Sequence, residues 1–163
     1  MPLVKMGDLL RKAKEGGYAV GSFSVANMEM VLGVIKALEE TGSPAIIQIA
    51  EVRLNHSPLE LIGPLMVAAA KNSSVPVAVH FDHGKTEEKI IRALEIGFTS
   101  VMFDGSHLPF EENAARTLRV KKLAESFVGG IKIFDRPFIL SRDLRAFFDS
   151  FGLFHSTTSH VFL

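Results

Sequence analysis

The sequence has no cysteine, so neither a disulfide nor a thiolate metal site can hold the fold together. It has no surplus of either charge: 18 basic residues face 18 acidic ones, which removes the electrostatic case for nucleic acid or an anionic membrane. No uninterrupted apolar run approaches the roughly 18 residues that span a bilayer. The opening Met1-Pro-Leu-Val-Lys-Met6 lacks a basic stretch followed by a long apolar one, so a signal peptide is not expected. A cytoplasmic protein is the expectation. Glycine-rich phosphate loops of the GxGxxG or GxxxxGK[ST] kind are missing, as is a serine elbow, so nucleotide binding and serine-hydrolase chemistry find no support.

What is present is an alternation. The 163 residues suffice for one domain with a proper core. Gly7–Glu15 reads as a short helix stopped by Gly16-Gly17, and Tyr18–Val25 as a strand. Asn27 can cap a helix running from Met28 to about Glu40, with Met28, Val31, Leu32, Ile35 and Leu38 at helical spacing. Ala45–Ala50 is apolar except for Gln48, as in a strand covered on both faces. Ser57-Pro58-Leu59-Glu60 makes a helix start with Ser57 as cap, and Leu61, Ile62, Leu65, Met66 and Ala69 carry that helix to Asn72. Strands at Pro76–Phe81 and Thr99–Phe103 follow, each with a helix behind it, from Thr86 and from Pro109 to about Ser126. Strand and helix alternate four times with short connections. This implies an α/β fold with a parallel sheet, doubly wound or a (β/α) barrel.

Polar residues gather after the strands, at Ser24, Gln48–Glu51, Asp82-His83 and Asp104–Ser106. Both architectures place ligands at that end. In a strand His80 and Asp82 share a face, while His83 begins the loop beside Gly84. A histidine at a strand end can bind zinc through a ring nitrogen while a neighbouring carboxylate handles protons. The same string can also be a polar cluster capping the next helix. Asp104 can orient a metal ligand, hold a second cation or be half of an ordinary Asp-Gly turn. His56 and His107 read as loop residues, and His155 and His160 as tail residues.

Beyond Ser126 the pattern breaks. Eight of the thirteen phenylalanines fall after Ser126, clustered at Phe147-Phe148, Phe151 and Phe154. Val128–Phe134 suggests a fifth strand, and no periodicity follows it. Residues 127–163 therefore read as an atypical tail, a candidate frame shift, behind a designed unit at 1–126.

Two strings together carry a family resemblance. Val77-Ala-Val-His80-Phe-Asp82-His83-Gly84, followed by Ser100-Val-Met-Phe-Asp104-Gly-Ser-His107-Leu-Pro-Phe-Glu-Glu-Asn113, resembles the class II, zinc-dependent ketose-bisphosphate aldolases, the fructose- and tagatose-bisphosphate enzymes. Gly17–Phe23 and Pro44–Ala50 match in order and spacing. The resemblance covers residues 1 to about 126 and implies the first four βα units of a TIM (β/α)8 barrel. It implies Asp82 as catalytic acid/base, His83 as a zinc ligand, Asp104 as a residue near the metal able to hold a second cation, and Gln48 and Ser24 as substrate-side positions. The cofactor would be Zn2+ and the partner a sugar phosphate, with no nucleic acid and no membrane, and a homodimer or higher oligomer could cover open strand edges. The family usually has Asn where Ser24 stands. The glutamate-bearing strand that it places after the fourth helix has no counterpart in Gly129–Asp135.

Overall fold

The computed structural model describes residues 2–127 and, as backbone, Ser159–Phe162. Four parallel strands run β1 (Val20–Ser24), β2 (Ala45–Ala50), β3 (Val77–Gly84) and β4 (Ser100–Phe103). They lie in the spatial order β4-β3-β2-β1, so each strand neighbours the next in sequence. Helix α1 (Met6–Gly16) precedes β1. Helices α2 (Met28–Thr41), α3 (Leu59–Asn72), α4 (Glu87–Ile96) and α5 (Phe110–Ser126) follow the four strands in turn. This is the four-unit α/β repeat expected from the alternation, with strands in barrel order.

Strand side chains alternate, so the sheet has two chemically distinct faces. The outer face presents Ile47, Ile49, Val77, Val79, Phe81, Val101 and Phe103 to the buried stripes of α2 to α5, forming one continuous core. Phe81 meets Phe98 edge-on with centroids 6.2 Å apart, and both are fully buried. Burying one such side chain contributes roughly 1.5–3 kcal/mol. The inner face is apolar only at its base, where Val20, Ile46 and Ala78 pack under Met6, Leu9 and Ala13 of α1. Helix α1 thus closes the bottom of the sheet's concave side. It ends where expected, with Gly17 left-handed at φ 68°.

Four local readings are corrected. The buried stripe of α2 is Val31, Ile35 and Leu38, while Met28 and Leu32 face outward, because the core touches a narrower strip of this helix than its apolar spacing allows. Leu61 on α3 is likewise 72% exposed. Ser57 does not cap α3; its hydroxyl donates to the carbonyl of Ala26, and Pro58 opens the helix, its carbonyl accepting from Leu61 and Ile62 N–H. Strand β3 runs three residues past Phe81, so His83 belongs to the strand and not to the loop.

Asn27 caps α2 as expected, its side chain accepting from Met30 N at 2.9 Å. The strand expected at Val128–Phe134, the Phe147–Phe154 cluster and His155 lie outside the described residues. Ser159–Phe162, where no element was expected, forms a strand (β5) antiparallel to β1, with Gly21 opposite Val161 and Ser22 opposite His160.

Candidate active site at the strand ends

Above the apolar base the inner face turns polar. Parallel pairing sets Ser24, Gln48, His80 and Ser100 in one row across β1 to β4, and Ala50 and Asp82 in the row above. Gln48 is fully buried and spends its amide on three neighbours. Its Oε1 accepts from Ser22 Oγ at 2.6 Å, and its Nε2 donates to Ser24 Oγ and Asp82 Oδ2, each at 3.1 Å. On the other side His80 is buried, with Nδ1 2.8 Å from Ser100 Oγ and Nε2 3.8 Å from Asp82 Oδ1.

Asp82 sits between these two side chains and is only 3% exposed. Its Oδ1 accepts no hydrogen bond from the described residues. A buried polar atom without a partner costs free energy, so such an atom takes a water or an ion or serves a chemical role. The arrangement holds one carboxylate oxygen through Gln48 and leaves the other without a hydrogen bond among the described residues.

His83 reaches the same place by a backbone irregularity. Between Phe81 and Gly84 the register with β4 slips: Phe81 faces Val101, while Gly84, three residues on, faces Phe103. The extra residue makes a bulge, which re-aims side chains next to sites. Consecutive strand residues would point Asp82 and His83 to opposite faces. The bulge and the left-handed backbone of His83 (φ 48°) bring the His83 ring round to Asp82, with Nε2 3.8 Å from Oδ2. Gly84 allows the close approach, since a Cβ there would come within 2.8 Å of the Met102 carbonyl.

Asp104, just past β4, accepts the His83 Nδ1–H through Oδ2 at 2.8 Å, and its Oδ1 accepts from Ser106 N at 3.1 Å. These bonds hold the Asp104 carboxyl far below the usual carboxylate range, and the same pairing raises His83 above its ordinary value against an opposing effect of burial. A carboxylate on one ring nitrogen fixes the tautomer and direction of a metal-ligating histidine. A catalytic zinc takes about three protein donors. Among the described residues no three His, Asp or Glu side chains converge to hold a metal. They fit one corner of such a centre, His83 with its orienting Asp104, and not a whole one.

The structure therefore brings Ser24, Gln48, Asp82, His83 and Asp104 into one connected cluster and leaves His56 and His107 on exposed loops. Ser22, Ser100 and Glu51 were not singled out beforehand. A serine at an inward strand position was the available signal for the first two. Glu51, 9% exposed, is an acid immediately behind β2.

A parallel sheet in sequential strand order, with Gln48, Asp82, His83 and Asp104 joined in one cluster at its strand ends, defines the class: the opening units of a (β/α) barrel with an ionisable site at the usual end. Residues 4–129 match the family model described as fructose-bisphosphate aldolase class-II. A fructose-bisphosphate aldolase of Staphylococcus aureus is 40% identical over 129 residues, 76% of this chain and 44% of that protein. One of Thermus caldophilus is 43% identical over 119 residues, 73% of this chain and 39% of that protein. The crystal structure of the YdjI aldolase from Escherichia coli K12 superposes with a TM-score of 0.68 at 37% identity, over 77% of this chain and 47% of that one. The chain belongs to the class II fructose-bisphosphate aldolase family, a family of lyases. It spans less than half the length of these relatives and comprises the first βα units of their TIM barrel.

Proposed function

We propose that the chain carries the acid/base corner of a zinc-dependent aldolase. The reaction is reversible cleavage of a ketose 1,6-bisphosphate, fructose or tagatose, into dihydroxyacetone phosphate and glyceraldehyde 3-phosphate. The observation that supports it is the pairing of Asp82 and His83 at the bulged end of β3, each held by its own partner. In cleavage Asp82 takes the proton of the C4 hydroxyl as the C3–C4 bond breaks and the C4 oxygen becomes the aldehyde, while the bonding pair stays on the three-carbon fragment, which takes a proton at C3 to become dihydroxyacetone phosphate; in condensation the steps reverse and Asp82 returns its proton. Gln48 keeps the carboxylate aimed, and Ser24 stands at the substrate side of Gln48. His83 would be one zinc ligand, with Asp104 behind it or beside a second cation. When bound, the metal supplies Lewis-acid stabilisation at the carbonyl oxygen where charge collects. Zinc identity, cytoplasmic location and a homodimer or higher oligomer covering open strand edges belong to the same proposal. No helix among the described residues is long and apolar enough to cross a membrane.

The test is cleavage of fructose 1,6-bisphosphate by the purified chain with zinc, abolished by EDTA and reduced at least about 100-fold in Asp82→Asn. One observation favours a second reading, a truncated or frame-shifted remnant without activity of its own: among the described residues no three His, Cys, Asp or Glu side chains converge to hold a metal. Absence of cleavage at any zinc concentration supports that reading. Finding the missing glutamate-bearing strand in another frame of the coding DNA after Ser126 would explain it.

A further inference from the structure

Glu51 takes no part in the chemistry above, yet it is an almost buried carboxylate beside it. It opens the short 3-10 turn Glu51–Asn55 behind β2 and reaches across to the chain that leaves β3. Its Oε2 accepts from Lys85 N at 2.7 Å and from Thr86 N at 3.2 Å, its Oε1 lies 3.4 Å from Thr86 Oγ1, and Lys89 pairs with it at 3.4 Å. Helix α4 begins at Glu87. Lys85 N lies before the helix, whereas Thr86 is its N-cap, so its amide is one of the donors left without an intrahelical partner. Glu51 thus ties both the connection and the start of α4.

The tied residues directly follow the bulged end of β3. On its β4 side the Gly84 carbonyl accepts from Asp104 N at 2.8 Å. On its β2 side Glu51 holds the next two residues. A left-handed backbone at a residue other than glycine is disfavoured and persists only where the surroundings over-determine it. Among the described residues, Asp104 bonds His83 directly and Glu51 holds the two residues that follow Gly84.

We infer that Glu51 is a positioning residue: by anchoring Lys85 and Thr86 it holds the Phe81–Gly84 bulge in the geometry that puts His83 on Asp104 and beside Asp82. The inference deepens the proposed function and rests on Asp82 and His83 being its reacting corner. Its test reads geometry and not turnover, so failure of either is recognised separately.

The experiment uses the purified chain with 15N-labelled histidine and amides, in wild type, Glu51→Ala and Glu51→Gln. In the wild type the His83 Nδ1–H bonded to Asp104 is expected to give a low-field proton resonance, and the Lys85 and Thr86 amides to exchange slowly. Glu51→Ala is expected to raise exchange at those two amides at least tenfold and to remove or markedly shift the His83 proton. If the Ala variant does not fold, Glu51→Gln is read instead, with the same two changes expected together at smaller size. Faster amide exchange with an unaltered His83 resonance overturns the inference, because the tie would then be merely structural. Unchanged exchange in a folded variant overturns it too.

Discussion

The inner face of the sheet has two storeys built on the same strands, and they obey opposite rules. The lower one, where Val20, Ile46 and Ala78 pack under Met6, Leu9 and Ala13, is apolar except for Ser22 opposite Ile46 and is sealed by α1. The upper one, from Ser24 through Gln48, His80 and Asp82 to Ser100, is polar and nearly as buried. The first is close-packed by buried apolar side chains. In the second each buried group is held by a neighbour, save the Asp82 oxygen that the proposed chemistry uses. The lower storey stabilises; the upper one trades stability for orientation.

That contrast can be broken by measurement. Leu9→Ala, which hollows the lower storey, should cost about 2–5 kcal/mol in urea unfolding. Gln48→Ala, which strips Asp82 and Ser22 of their partner, should cost about 1–3 kcal/mol by the same method. A larger cost at Gln48 than at Leu9 would overturn the division of labour. Asp82→Asn should leave stability within about 1 kcal/mol of the wild type while removing any aldol cleavage, because it keeps the shape of a group that is poorly satisfied in the native fold.

The His83–Asp104 pair sharpens the comparison through pH. His83 is raised in the folded state, so its contribution is full below its ordinary value of 6.5 and fades as pH rises through the raised folded value. Asp104 is lowered, so its contribution is full above its ordinary value of 3.8 and is lost as pH falls through the depressed one. Thermal unfolding against pH should show Asp104→Asn most destabilised relative to wild type between those two ordinary values, with the gap narrowing on the alkaline side. An unvarying gap would mean that the pair is not formed in solution. The smallest effect is expected far from both storeys: Arg11→Ala breaks an exposed ion pair with Asp8 (2.8 Å) and should change stability by less than about 1 kcal/mol.

Much of this site was legible before the fold. Asp82, His83 and Asp104 stood out because chemistry-bearing residues ended apolar strands, and their joint spacing pointed to a family. What escaped was whatever depends on neighbouring chains. Leu32 and Leu61 satisfy helical periodicity and are nonetheless exposed, because periodicity says which residues share a face and not how wide a strip is covered. Ser57 satisfies a capping motif, but Ala26 offers it a better use. Glu51 looked like one polar residue among several until β3 was laid beside β2.

By itself the sequence determined the order and kind of the elements, the parallel sheet and the family, since these follow from local spacing and from strings of residues. Only the tertiary structure decided that His83 belongs to a bulged strand and turns toward Asp82, and that Gln48 and Asp104 each hold one member of that pair. The physical reason is register. A bulge exists only against a partner strand, and a hydrogen bond between β2 and β3, or between β3 and β4, has no trace in either segment alone.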